Sequence, residues 1–223
     1  LAEGGGGRPG DTDHPIRPTL DVETFRTFAS LSGLVPLVGV VSGRCFAGNA
    51  VLAGCCDVII ATENSNIGMG GPVMVEGAGI GSFPPEAIGP IDVQSKNGVV
   101  DVRVRDEAEG VAVAKQYLAY FQGRIESFCA PDSERLRELV PENRMRVYDM
   151  RQVIAHLADV GSVLELRREF APGIITALAR IEGRSVGIVA NEPKRLAGAI
   201  DAECSDKAAR FMRLCDAFDL PIV

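Results

Sequence analysis

The 223-residue sequence has no tryptophan, only two histidines and no concentrated run of lysine or arginine. Each shortage closes off a class of function. A formal net charge of −7 without a basic patch argues against a nucleic-acid surface, which needs clustered cations to displace counterions. A small phosphorylated ligand is still possible, because a few local cations suffice for it. No apolar run approaches the roughly 18–20 residues of a membrane span; the stretch 34–42 is short and broken by Pro36. No charged segment leading into an apolar stretch follows Leu1, so no secretory signal is expected.

The six cysteines form no C-x-x-C pair, and Cys55 and Cys56 are adjacent, a poor arrangement for a disulfide or a zinc site. They are expected to be reduced, small core residues of a cytoplasmic protein. The familiar catalytic sets are missing as well. His14 falls in a loop and His156 in a helix beside Ile154 and Leu157, while no G-x-S-x-G elbow is present. No His, Asp or Glu cluster has metal-ligand spacing, so no metal is expected. The glycine run 4–7 lacks the Lys-Ser/Thr of a phosphate-binding P-loop.

What is there reads as alternating strands and helices. "DVETFRTFASLSG" predicts a helix capped by Asp21 and stopped by Gly33. "LVPLVGVVSG" predicts a buried strand, the segment around Asn49–Cys55 a helix, and "DVIIAT" a second strand. That order has the period of a parallel sheet with crossover helices. The segment from Gly68 to Asp92 is too rich in glycine and proline for regular structure throughout. A helix resumes at "DEAEGVAVAKQYLAYFQG". After polar, proline-containing residues, "DMRQVIAHLAD" predicts another helix, and Glu182-Gly183-Arg184 between β-branched runs signals a hairpin. A last helix with Ser205 as N-cap leads into "LPIV", the start of a strand. The predicted organisation is a domain over 1–123, a connection over 124–148 and a second domain over 149–223.

With side-chain sets missing, the backbone becomes the candidate chemistry. In "GRCFAGNAVLAGCCDVIIAT" a small-residue loop at Phe46, Ala47 and Gly48 precedes a helix. Amides there could point outward with the positive end of the helix dipole behind them and hold an oxyanion such as a thioester carbonyl. Each well-aimed donor is worth about 3–4 kcal/mol at a transition state. Alternatively, Ala47 and Gly48 are small only so that the helix can pack on the sheet.

The same stretch, with the later "GGP" and "AIGP", resembles the N-terminal lobe of the carboxyltransferase (beta) subunits of biotin-dependent acyl-CoA carboxylases. "GRSVGIVANEP", "KAARF" and "CDAFDLP" resemble the C-terminal lobe of that family still more specifically. The resemblance implies a crotonase-like (ClpP/crotonase) α/β fold, a ββα superhelix with two incomplete lobes. It implies transfer of CO2 from carboxybiotin on a carrier protein to the α-carbon of an acyl-CoA. The ureido anion left on biotin takes the α-proton, so no protein base is required. The resemblance also implies biotin carboxylase and biotin carboxyl carrier partners and a homo-oligomer, a dimer or a trimer of dimers, in the cytoplasm.

The family's first oxyanion pair falls on Ala47 and Gly48, a substitution tolerable if the Ala47 φ stays negative. The family's glycine-rich loop falls on Glu3 to Arg8. On this basis Gly5, Gly6, Gly7, Arg8, Arg44, Gly71 and Pro72 are candidates for acyl-CoA binding, with Lys96 a further candidate cation. The family's second oxyanion pair would lie beyond Val223, so the segment alone is expected to be inactive. Two other readings are a crotonase-type decarboxylase or hydratase, with Glu76 or Glu86 as its acid, and a non-catalytic assembly piece. The acyl chain is not specified by these residues.

Overall fold

Strand β1, Val38–Val41, and strand β3, Val58–Thr62, are runs of small and β-branched residues, the pattern of strands covered on both faces. In the computed structural model, which describes residues 1–5, 23–143 and 145–223, they pair in parallel with Val38 opposite Val58. Strand β5, Val102–Val104, pairs in parallel on the other side of β3. A second, two-stranded parallel ladder joins β2, Arg44–Phe46, to β4, Asn66–Gly68. The parallel expectation is met.

Helices fill the crossovers. α1, Glu23–Ala29, precedes β1, and α2, Gly48–Gly54, lies between β2 and β3. Short helices α3, Pro72–Gly77, and α4, Ile91–Gln94, interrupt the glycine- and proline-rich stretch. α5, Glu107–Ala119, is capped by Asp106, whose carboxylate accepts the Glu109 N–H at 2.9 Å. A Cβ at Gly110 would sit 3.4 Å from Val40, so glycine lets α5 approach the sheet closely. Predicted cap Asp21 lies outside the described residues.

In the second half, an antiparallel sheet comprises β6, Leu164–Leu166, β7, Ile174–Ile181, and β8, Arg184–Asn191. The β7–β8 turn is the predicted two-residue hairpin. Glu182 and Gly183 both have positive φ, 50° and 77°, as a type I′ turn demands. Between α5 and the next long helix the chain is mostly irregular, with one short helix, α6, Leu136–Leu139. α7, Met150–Leu157, packs Ile154 with Ile175 and Ala177. α8, Ala202–Ala217, packs Phe211 and Cys215 against Leu178. It begins a turn before the expected Ser205, because the Asp201 carboxylate takes the Cys204 N–H at 2.8 Å. The chain end extends the sheet, with Ile222 bridged in parallel to Gly187 and the Val223 N–H donating to the Gly187 carbonyl at 2.8 Å.

One apolar cluster joins Val40, Val58, Ile60 and Tyr117 to Leu164, Leu178, Phe211 and Cys215. The two sheets therefore share core.

Candidate functional site

Residues 1–5 run along β2. The Gly4 N–H donates to the Arg44 carbonyl at 2.6 Å, and the Phe46 N–H donates to the Gly4 carbonyl at 3.0 Å. Gly4 has φ +151°, and a Cβ there would lie 2.5 Å from the Asn49 side-chain nitrogen, so a larger residue is strained and has to displace that side chain. Phe46 is buried at the end of β2. Its ring lies beneath Gly68 and Gly71, whose Cβ positions would be 3.5 and 3.6 Å away. Gly71 is the N-cap of α3 with Pro72 in its first turn, and the Gly5 carbonyl lies 3.3 Å from a Gly71 Cβ position. Gly5 and Gly71 thus meet beside Phe46, next to the loop that starts α2, and Pro72 follows as the first residue of α3.

At that loop Ala47 is the N-cap, with φ 54° and ψ −123°. This is the left-handed side of backbone space, where an alanine carries of order 1–3 kcal/mol of strain. The condition under which alanine is tolerable here, a negative φ, is not met. The expectation of two outward donors is corrected too, since the Ala47 N–H is used internally on the Gly68 carbonyl at 3.1 Å. The amides of Gly48, Asn49 and Ala50 take no acceptor among the described residues, as the first turn of a helix leaves them. Gly48 and Asn49 are half-buried and Ala50 is buried, so the first two are the usable donors. Above them Phe25 of α1 approaches, its ring 3.0 Å from where a Gly48 Cβ would lie.

The remaining candidates separate. Gly6, Gly7, Arg8 and His14 lie outside the described residues. Arg44 contributes its carbonyl to the Gly4 bond, while its guanidinium pairs with Glu86 at 2.6 Å on the surface. The Glu86 carboxyl is held below its ordinary pKa by its own backbone amide and by Arg44, so it stays ionised and is a poor general acid. Lys96 is exposed. His156 is remote on α7, its Nδ1 2.9 Å from the Gln152 carbonyl.

Side-chain nucleophiles are not on offer at the loop. Burial pushes the Cys45 and Cys56 thiols up to about 11, so both are protonated near neutrality. Among the described residues no group of three His, Cys, Asp or Glu could hold a metal ion. Sequence reasoning missed Asn49, Gly68 and Phe25. Only the glycines at 68, 70 and 71 hinted that backbone must approach backbone there.

Comparison with known proteins gives a consistent picture. Residues 18–223 match the carboxyl transferase domain family. The methylmalonyl-CoA carboxyltransferase 12S subunit of Propionibacterium freudenreichii subsp. shermanii is 33% identical over 208 residues, 89% of this chain and 40% of that protein. A solved single-chain, multi-domain long-chain acyl-CoA carboxylase is 60% identical with a TM-score of 0.95, over 100% of this chain and 22% of its own. A crystal structure of transcarboxylase 12S, a hexamer with hydrolysed methylmalonyl-coenzyme A bound, is 31% identical with a TM-score of 0.78, covering 90% of this chain and 41% of that one. The chain therefore spans about 40% of the length of the curated relatives it matches.

Proposed function

Because the chain belongs to the carboxyl transferase domain family and has its crotonase-like α/β fold, we propose that it forms part of a biotin-dependent acyl-CoA carboxyltransferase. The reaction moves CO2 to the α-carbon of an acyl-CoA. The observation that carries this reading is the pair of amides at Gly48 and Asn49, half-buried at the start of α2 and without an acceptor among the described residues. They supply fixed N–H dipoles, backed by the helix, for the thioester oxygen as it gains charge. Ala47 serves by shape instead. Its internal bond to Gly68 and its positive φ turn the chain so that the next two amides are released from the β2–β4 ladder.

Gly5 and Gly71 leave room for an acyl-CoA to approach the backbone, and Gly6, Gly7 and Arg8 continue the same glycine-rich segment in sequence. Carboxybiotin on its carrier supplies the CO2 and, once it has lost it, the base that takes the α-proton. Protonated thiols and a paired Glu86 near this loop fit a protein that positions reactants without titrating.

The same reading makes biotin carboxylase and biotin carboxyl carrier protein the partners. It makes a homo-oligomer the working state, as in the hexameric transcarboxylase 12S. Residues 1–123 and 149–223 are then parts of the two lobes, joined by 124–148. A cytoplasmic setting suits the six unpaired cysteines.

The test uses a full-length carboxylase beta subunit carrying this chain, with biotin carboxylase, biotinylated carrier and acyl-CoA supplied. Gly48→Pro deletes one donor and is expected to lower kcat by about 10²–10³-fold. Gly48→Ala keeps the donor but sets a Cβ 3.0 Å from the Phe25 ring, which must give by a few tenths of an ångström, so its loss should be smaller. Near-normal kcat in a folded Gly48→Pro enzyme overturns the assignment. Absence of any carboxylation by the parent enzyme favours the assembly role.

A further inference from the structure

A cavity of about 460 Å³ opens at the ends of α1 and α2, against α8, and its lining includes Ser32, Cys55, Asp57, Arg210 and Arg213. Arg210 and Arg213 stand three residues apart on α8, so their side chains share one face. Neither forms an ion pair with a carboxylate among the described residues, although the chain as a whole is acidic. Arg44, Arg103 and Arg105 each meet a carboxylate at 2.6, 2.6 and 2.9 Å, whereas Arg210 and Arg213, like exposed Arg184 and Arg195, do not among the described residues. Asp57 is the one carboxylate lining this cavity, and it is already engaged, accepting the Leu37 N–H at 2.7 Å. Burial raises its pKa, while the Leu37 N–H and the nearby Arg210 charge oppose that rise.

The location separates this cavity from the Gly48 amide. Asp57 immediately precedes β3, so the cavity sits at the N-terminal edge of the parallel sheet. Gly48 opens α2 and Gly54 closes it, a distance of about 10 Å at 1.5 Å per residue.

We propose that this cavity is a second binding site, which holds the oxyanion of a phosphorylated or carboxylated small molecule between the Arg210 and Arg213 guanidiniums. Guanidinium donors match the planar oxygen pairs of carboxylate and phosphate, and the Ser32 hydroxyl can add a neutral donor. The volume falls in the range of small-molecule pockets, roughly 300–1,000 Å³, so the ligand carries a body beyond its anionic group. The site is independent of carboxyl transfer and is tested without it.

The experiment is an amide NMR titration of the chain with inorganic phosphate and, separately, with malonate. Saturable shifts at Ser32, Cys55 and Arg213 are expected, and affinity should fall at least tenfold in Arg210→Gln/Arg213→Gln. The single Arg213→Gln guards against a folding artefact and should lose several-fold, with an unchanged thermal midpoint. A response to phosphate alone assigns the site to phosphate esters, and a response to malonate alone assigns it to carboxylates. No shift at these amides with either anion, or undiminished affinity in both variants, overturns the proposal.

Discussion

The parallel and antiparallel halves of this chain handle polar groups in opposite ways. In the first half most charge stays outside, where Arg44–Glu86, Arg103–Asp92 and Arg105–Glu109 are surface pairs; the exception is buried Asp101, which takes the Ile59 N–H at 2.8 Å and pairs with Arg167 of the second half at 3.0 Å. In the second half charge goes in. Buried Arg180 donates to the carbonyls of Ala119, Gly183 and Gly123 at 2.6, 2.6 and 3.0 Å. Buried Lys207 donates to the carbonyls of Ile174 and Phe170 at 2.8 and 2.9 Å. The Asp159 carboxylate takes the turn amides of Glu182 and Gly183 at 3.0 and 2.8 Å. The parallel ladder satisfies most of its own backbone, with Asp57 and Asp101 taking the Leu37 and Ile59 amides at 2.7 and 2.8 Å. The segments that Arg180, Lys207 and Asp159 serve are irregular, with positive φ at Ala171, Glu182, Gly123 and Gly183, and they leave groups that only a long or charged side chain can reach.

This contrast can be broken in three places. Arg180→Ala strands the carbonyls of Ala119 and Gly123, at and just past the end of α5, and of Gly183 in the β7–β8 turn and is expected to cost about 3 kcal/mol, read by denaturant unfolding. A loss near zero would mean that the interior charge is incidental.

Lys207 gives a pH signature. Burial lowers its pKa from 10.5 to about 8, with Glu165 opposing. Between these values the unfolded chain holds a proton that the folded chain has released, so stability rises with pH across that window. The full benefit is present above about 10.5 and is lost as pH falls through about 8. The stability difference between the native chain and Lys207→Met should therefore shift toward the native chain from pH 8 to 10.5, and a flat difference would contradict it.

Arg44→Ala sharpens the other side. An exposed pair contributes about 0–1 kcal/mol, so its loss should scarcely move the unfolding midpoint. A cost as large as that of Arg180→Ala would erase the distinction between the halves.

Much of this architecture was legible in the residues. β-Branched runs announced β1, β3, β7 and β8, and Glu182-Gly183 announced the hairpin, because those signals are local. The start of α8 was read one turn late, since Ser205 and Asp201 are both good caps and only the fold chooses between them. At the candidate loop the Ala47 amide expected to point outward is bonded inside, and the amides without an acceptor among the described residues start one residue later. The direction of an amide depends on a single φ, and alanine gives no warning that it will be positive. The Gly68 carbonyl that captures the Ala47 N–H is 21 residues downstream, a contact that local pattern does not encode.

The apolar cluster running from Val40 to Cys215 carries a kinetic cost. Contacts so far apart along the chain form late, because closing a long loop sacrifices entropy before burial returns it. As the polypeptide emerges from the ribosome, α5 can cover part of Val40 and Ile60, but the rest of the cluster on β1 and β3 waits for Phe211 and Cys215. During that interval their apolar surface is open to aggregation and to chaperones, so nascent-chain solubility depends on how soon α8 is made.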